Sequence, residues 1–283
     1  MKRIVLIASV LAITLFSCQK EIDWGLGGTA SGKQLVKISS KTGADSTIVE
    51  YFYDGSKRLA REKTTGAAAG TSLDNDLTIV RNSSGIITKT IQKAAALTAA
   101  GIDSVVTRFY YNTGSSKYTA TAFDLSIPGI AITDSAVYTY DANGRITRDS
   151  HYLAIGGLPI PLPAFLAARN TYTYSADGKN ILSVATEAAI PPATTLAPAA
   201  AQTYTIDTKV NPLIISNEAI LLNRVGLYNA NNTTKAIVTN AIDPTQDLTT
   251  DYTFKYNTEN KPDSSYGTRT PGGSVTASKY FYQ

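Results

Sequence analysis

Ten residues constrain this chain more than any others: Tyr138-Thr139-Tyr140-Asp141-Ala142-Asn143-Gly144-Arg145-Ile146-Thr147. Tyr138 and Tyr140 stand two apart, so in a strand they share a face. Asp141 and Asn143 can bond nearby backbone, and Gly144 accepts a positive φ. Arg145-Ile146-Thr147 restores an extended pattern, so the unit predicts a β-hairpin. Looser copies follow Tyr51-Phe52-Tyr53, Ile79-Val80-Arg81, Tyr110-Tyr111, Tyr172-Thr173-Tyr174, Tyr204-Thr205-Ile206 and Tyr252-Thr253-Phe254-Lys255-Tyr256. Aligned on the residue before Asp, Asn or its substitute, they fall at 53, 81, 111, 140, 174, 206 and 256, most of them 28 to 34 residues apart. A period of that size marks a repeat architecture.

The predicted fold class is all-β: an antiparallel meander of seven or so consecutive hairpins forming one large twisted or curled sheet. Tight Asp/Asn/Gly turns line one edge, and longer connections (64–74, 93–101, 153–169 and 187–202) line the other. The recurring Tyr51, Tyr53, Tyr111, Tyr138, Tyr140, Tyr172, Tyr174, Tyr204, Tyr252 and Tyr256 read as structural. Alternating Tyr and Ile/Leu stripes pack as cross-strand pairs; an aromatic platform that stacks on sugars is the competing reading. An open sheet must protect its edges and faces. Two apolar loops, 155–166 and 188–199, are the candidate covers, with a short helix at Pro163–Ala168. In the first, Leu158, Ile160, Leu162 and Phe165 are the candidate partner-contact residues.

The N-terminus carries an address. Met1-Lys2-Arg3 precedes an apolar run, Ile4 to Phe16, too short for an ordinary membrane span and fitting a signal peptide. Leu15-Phe16-Ser17-Cys18 resembles a bacterial lipobox, and Cys18 is the chain's one cysteine. That resemblance implies cleavage before Cys18 and lipidation of its thiol, leaving none for disulfides. Gln19-Lys20-Glu21-Ile22-Asp23 resembles the surface-export signal of Bacteroidota lipoproteins, with Lys20 and Glu21 as its candidates; a plain charged tether is the other reading. The expected organisation is a signal peptide (1–17), a lipidated tether (18–34) and a repeat domain (35–283).

Several chemistries are disfavoured. Removing Lys2 and Arg3 with the leader leaves 24 basic residues against 22 acidic ones, which is no nucleic-acid footprint. Gly27 to Lys33 spells a near P-loop, but Gln34 stands where Ser or Thr must hold Mg²⁺, and no strand precedes it, so no nucleotide is expected. His151 is the sole histidine. In a strand it points away from Ser150, which denies a nucleophile–base pair, and it reads as a surface residue. One histidine and no spare cysteine leave no metal site. No catalytic residue and no cofactor is assigned. Asp45-Ser46-Thr47, Asp103-Ser104-Val105 and Asp134-Ser135-Ala136 resemble the Bacteroidota O-glycosylation acceptor, with Ser46, Ser104 and Ser135 as candidates. Turn or strand-entry signals, with the side chains bonding backbone, are the preferred reading.

The Tyr-x-Tyr-Asp-x-x-Gly-Arg-Ile units resemble YD/RHS-type repeats, over roughly residues 35 to 283. Together with the lipobox they resemble the repeat lipoproteins of Bacteroidota. The resemblance implies an antiparallel meander, curling in some members into a shell. The expected function is a non-catalytic binding or structural lipoprotein of the outer membrane. It would face the cell surface and meet an unknown protein or glycan. A periplasm-facing accessory of an envelope assembly or secretion machine is the alternative, and a carboxylate-dependent envelope hydrolase comes last.

Overall fold

A computed structural model describes residues 33–115, 117–127, 130–156, 162–189, 195–213 and 229–283, without the side chains at 127, 162 and 163. Strands follow one another with almost no interruption: β1 (Leu35–Thr42), β2 (Asp45–Tyr53), β3 (Leu59–Ala68), β4 (Thr71–Ser72), β5 (Asn75–Arg81), β6 (Ile87–Ala94), β7 (Val105–Tyr111), β8 (Tyr118–Ile127) and β9 (Ile130–Tyr140). The second half comprises β10 (Ile146–Gly156), β11 (Leu162–Tyr174), β12 (Ile181–Ala188), β13 (Ala197–Val210), β14 (Asn231–Asn240), β15 (Leu248–Tyr256), β16 (Pro262–Thr270) and β17 (Val275–Tyr282). A five-residue helix, α1 (Ala95–Ala99), interrupts them.

Apart from the two-residue β4, each strand pairs antiparallel with the next, and β17 pairs back onto β1. The two-residue β4 pairs only with β3, whose main partner is β5, so sixteen strands close the sheet. This corrects the expectation of an open twisted or curled sheet. Closure removes the edges that would need protection. It rests on the register Leu35↔Tyr282 to Thr42↔Thr276, with inner hydroxyl bonds Ser40–Ser278 (2.8 Å) and Thr42–Thr276 (2.6 Å).

The turn motif ends its strands as expected. Tyr53, Arg81, Tyr111, Tyr140, Tyr174 and Tyr256 are each the last residue of a strand; Ile206 is not, because β13 runs on to Val210. The first side chain of the turn holds its backbone together. Asp141 Oδ1 accepts from Arg145 N at 2.8 Å, Asp54 Oδ1 from Ser56 and Arg58 N, and Asn82 and Asn257 do the same in their turns. The fourth turn residue is left-handed in five copies: Gly85, Gly144 and Gly178 at φ 73° to 82°, with Lys57 and Asn260 near 60°; after Tyr111 the left-handed residue is the third, Gly114, and the copy after Ile206 has none. A left-handed residue after a type I turn makes the bulged hairpin that suits twisted strands.

The tight turns form one rim of the barrel. The connections through Gly43, α1, and 241–247 form the other, which matches the expected division of edges. Much of the expected loop 153–169 is strand, since β10 runs to Gly156 and β11 starts at Leu162. The helix expected at Pro163–Ala168 is therefore strand as well. The closed sheet has its own inside, so it leaves no bare face of the expected kind to be covered.

Alternation sorts side chains between inside and outside. Ile132, Asp134, Ala136 and Tyr138 of β9 face in, and Ala131, Thr133, Val137 and Thr139 face out. The inside is filled. Near the turn rim one apolar cluster joins Leu35, Tyr51, Leu59, Ile87, Tyr118, Tyr138, Ile146 and Tyr172, with Tyr53, Tyr111, Tyr140, Tyr174 and Tyr204 packed against it. Tyr118 sits edge-on to Phe109 (5.3 Å between centroids) and Tyr138 (4.9 Å). Toward the loop rim a second cluster gathers Ile102, Phe123, Leu125, Ile132, Leu153, Ile155 and Ala167.

Candidate functional site

Three places in the barrel hold chemistry: a polar layer inside, a small cavity under β14–β17, and the charged outer wall.

The polar layer lies between the two apolar clusters. On β10 the inner face reads Ile146, Asp149, His151, Leu153, Ile155, so the ionisable pair falls where the apolar clusters part. His151 Nδ1 is 3.2 Å from Asp134 Oδ1 on β9, and Nε2 is 3.1 Å from Asp149 Oδ1. Asn170 Nδ2 donates to Asp149 at 2.9 Å, the Tyr172 hydroxyl donates to its other oxygen, and Thr186 donates to Asn170 at 2.7 Å. Burial alone would push the His151 pKa down. The hydrogen bonds and charges of Asp134 and Asp149 outweigh it and hold the imidazole well above its ordinary value.

His151 is 1% exposed and Asp149 0%. The expectation of a surface histidine is corrected: β10 runs through Arg148-Asp149-Ser150-His151 unbroken, which turns both Asp149 and His151 inward. Ser150 does point away from His151, as alternation requires. Asp134 opens no strand either. It sits mid-β9 and buried, so the strand-entry reading of Asp134-Ser135 fails there. Sequence reasoning missed this cluster. Its signal was available as the spacing Asp149, His151, Leu153, Ile155 at period two, once 146–156 is taken as one strand.

The cavity, about 60 Å³, is lined by Asn211, Leu213, Asn232, Thr233, Tyr252, Phe254 and Tyr280. Tyr252, Phe254 and Tyr256 stack along β15 at 6.4 and 6.0 Å. Asn232 donates to Asp207, which also accepts from the Tyr256 hydroxyl. Ligand pockets measure about 300–1,000 Å³. A space this size holds a few water molecules and no sugar ring, so the stack reads as inner packing.

The repeat tyrosines are inside or at the inner margin. Four that end a strand, and Tyr282 at the end of β17, also reach across to the neighbouring strand: Tyr53 donates to Leu35 O, Tyr111 to Ile87 O, Tyr140 to Tyr118 O, Tyr174 to Ile146 O and Tyr282 to Pro262 O, at 2.5–2.8 Å, while Tyr256 donates to Asp207 instead. Every carbonyl acceptor is the first residue of the preceding return strand. Each of these hairpins is thereby stitched to the one before it.

The outer wall mixes charged and hydroxyl side chains with exposed Phe52, Tyr110, Val137, Tyr152, Tyr266 and Phe281. One cross-strand row alternates in sign over five strands: Lys37, Glu50, Lys63, Asp76, Lys93. Arg61 forks onto Asp76, with Nε at 2.7 Å, and its hydrogen bond and charge hold that carboxyl below its usual range. Arg108–Asp124 (3.2 Å), Arg169–Glu187 (3.5 Å) and Lys235–Asp251 (3.4 Å) continue the pairing around the wall.

Cys18, Lys20, Glu21, Leu158 and Ile160 lie outside the described residues. Leu162 and Phe165 are in strand β11 rather than a loop, and Phe165 packs against the second inner cluster, which corrects its reading as a partner contact. Ser46 is exposed on the outer face of β2, Ser104 is half-buried ahead of β7, and Ser135 is half-buried on β9. Among the described residues no group of three or more acidic, His or Cys side chains could hold a metal ion.

No protein-family model matches the chain, and no curated protein does. Solved structures do match. A porin-like protein from Bacteroides uniformis aligns at TM-score 0.50 with 14% identity, over 88% of this chain and 98% of its own. A porin-like protein from Bacteroides vulgatus aligns at TM-score 0.52 with 11% identity, over 89% and 99%. At such identities the likeness is one of fold, a closed antiparallel β-barrel.

Proposed function

We propose that this protein is a non-catalytic barrel of the bacterial envelope, held to the outer membrane by lipid on Cys18, with its wall in water rather than in the bilayer. The observation that carries the reading is the charge on the wall. A transmembrane barrel turns apolar residues outward and polar ones into its lumen. Here the filled, largely apolar side is inside, and Lys37, Arg61, Lys63, Lys89, Lys93 and Arg108 face out. An outward Lys or Arg costs about 2–4 kcal/mol at the bilayer midplane and about 0–1 kcal/mol near its interfaces, so cations spread along these strands oppose insertion. The likeness to porin-like proteins supports an envelope location without requiring a pore. YD/RHS-type hairpins account for the repeating turn, and the loop rim is the surface offered to a protein or glycan partner, since binding residues concentrate on loops carried by a rigid scaffold.

Substituting the tether residue tests this. Cells expressing Cys18→Ser, with an ordinary cleavable secretory leader in place of residues 1–17, are fractionated after a high-salt wash. Release of the protein into the soluble fraction, with the wild type remaining in membranes, is the expected result. Retention of the variant until detergent is added would show that the wall itself is embedded, and would overturn the proposal.

A further inference from the structure

The two rims of the barrel carry opposite charge. On the turn rim, the described residues outside strands include seven basic side chains and four acidic ones. On the loop rim, the connections hold Asp74, Asp103, Asp243 and Asp247 and no lysine or arginine.

The turn-rim cations are also ordered in sequence around the circle. Each reaches from its own turn to the next. Arg58 Nη1 donates to Gly85 O at 3.3 Å. Lys117 Nζ lies 6.0 Å from the Tyr140 ring centre, against Gly144, and Arg145 lies 5.2 Å over Tyr174, against Gly178. Lys209 donates to Asn260 at 2.9 Å, and Lys261 sits over Tyr282 and donates to Lys33 O at 3.1 Å. Arg58, Arg145 and Lys261 also pair with Asp54, Asp141 and Glu259 of their own turns at 2.6–3.1 Å, so the rim's net positive charge comes from its excess of cations over carboxylates, with Lys33, Lys57, Lys117 and Lys179 contributing it. The turn glycines leave the space: a Cβ on Gly144 would stand 1.7 Å from Lys117 Nζ.

The chain enters the barrel at this same rim, since β1 begins at Leu35 beside the turns and runs away from them. Sixteen residues, 19–34, separate that entry from Cys18. We propose that the turn rim is a docking surface for anionic lipid headgroups of the membrane carrying the tether. The acidic loop rim then points outward, away from that membrane. The inference rests on the tethered reading given above. Fixed cations within a Debye length of an anionic surface attract it.

The test uses the mature chain with Cys18→Ser, which carries no lipid and retains every strand of the closed sheet. Co-sedimentation is measured with vesicles of phosphatidylcholine and with vesicles of equimolar phosphatidylcholine and phosphatidylglycerol. Binding to the anionic vesicles at low salt, lost at high salt, is expected. Lys57→Glu/Lys117→Glu/Lys179→Glu should weaken it by more than about 100-fold, at about five-fold for each charge removed and again for each charge reversed. The charge-matched wall variant Lys63→Glu/Lys89→Glu/Lys93→Glu should weaken it far less, with circular dichroism confirming that both fold. Equal binding to both vesicle types, or equal loss in the two variants, would overturn the proposal. Because no lipid is attached in this assay, its failure leaves the tether to be judged separately, by the mass of the N-terminal peptide from cells.

Discussion

Replacing Tyr140 with Phe removes one oxygen and leaves the ring where it is. The side chain keeps its packing against the turn-rim cluster and loses its bond to Tyr118 O, 2.5 Å long. A hydrogen bond of this kind contributes about 0.5–1.5 kcal/mol net, which in a chain this size moves Tm by about 2–4 °C per kcal/mol. The same holds for Tyr53, Tyr111, Tyr174 and Tyr282, each bonded to a different return strand. Spread over separate hairpins, the five losses should add, giving about 5 kcal/mol and 10–20 °C for the quintuple variant. That is a large part of the 5–15 kcal/mol typical of a folded domain. Tyr110→Phe is the control, because Tyr110 faces out and is 47% exposed. Thermal melts are followed by near-ultraviolet dichroism of the tyrosines, since the one tryptophan, Trp24, lies ahead of the sheet. If Tyr140→Phe and Tyr174→Phe melt with Tyr110→Phe, the hairpins are not held by these bonds.

Three further outcomes follow from the same geometry. Burial raises the pKa of Tyr53, Tyr174, Tyr204 and Tyr282 above the ordinary 10.0, so the folded barrel binds more protons than the unfolded chain above that pH; stability should therefore fall as pH rises past it, with tyrosinate absorbance and loss of β dichroism appearing together, and tyrosinate forming on an intact barrel would contradict this. His151→Phe strips the cation from between Asp134 and Asp149 and should cost about 3–5 kcal/mol at neutral pH; because the raised histidine pKa stabilises below its unfolded value of 6.5 and is lost as pH climbs through the folded one, the wild type should also lose its advantage over the variant in alkali, and a denaturant midpoint that does not move would sink both statements. Gly144→Ala and Gly114→Ala, both at φ near 78°, should each destabilise by about 1 kcal/mol, since the Lys117 ammonium against Gly144 ends a flexible side chain that can swing aside, while Lys57→Gly, relieving a non-glycine at φ 61°, should stabilise by about 1 kcal/mol; urea midpoints moved in the opposite directions would refute the role given to the turn.

The hairpins were legible because the turn is local chemistry. Asp141, Gly144 and Arg145 act on one another within five residues, and the tyrosines before them mark the strand end. Closure was not legible. The pairing of Leu35–Thr42 with Val275–Tyr282 joins segments more than 200 residues apart, and neither carries a mark that distinguishes a seam from two free edges. The polar layer was hidden for another reason. Arg148-Asp149-Ser150-His151 has the composition of a turn, and only the tertiary environment turns it into strand by supplying Asp134 and Asn170 as partners. The segment 163–168 differs for the same reason: pairing with β10 makes it strand where the sequence predicts a short helix. The O-glycosylation-like triplets show the limit of short motifs, since Ser46, Ser104 and Ser135 share a pattern and no common setting.

Sedimentation velocity of the mature Cys18→Ser chain in detergent-free buffer tests the central claim most directly. A barrel whose charged wall faces water should run as one compact, soluble species of the protein's own mass. A chain that aggregates without detergent and becomes monodisperse only with a bound micelle would contradict it, and would mean that the wall belongs in the bilayer.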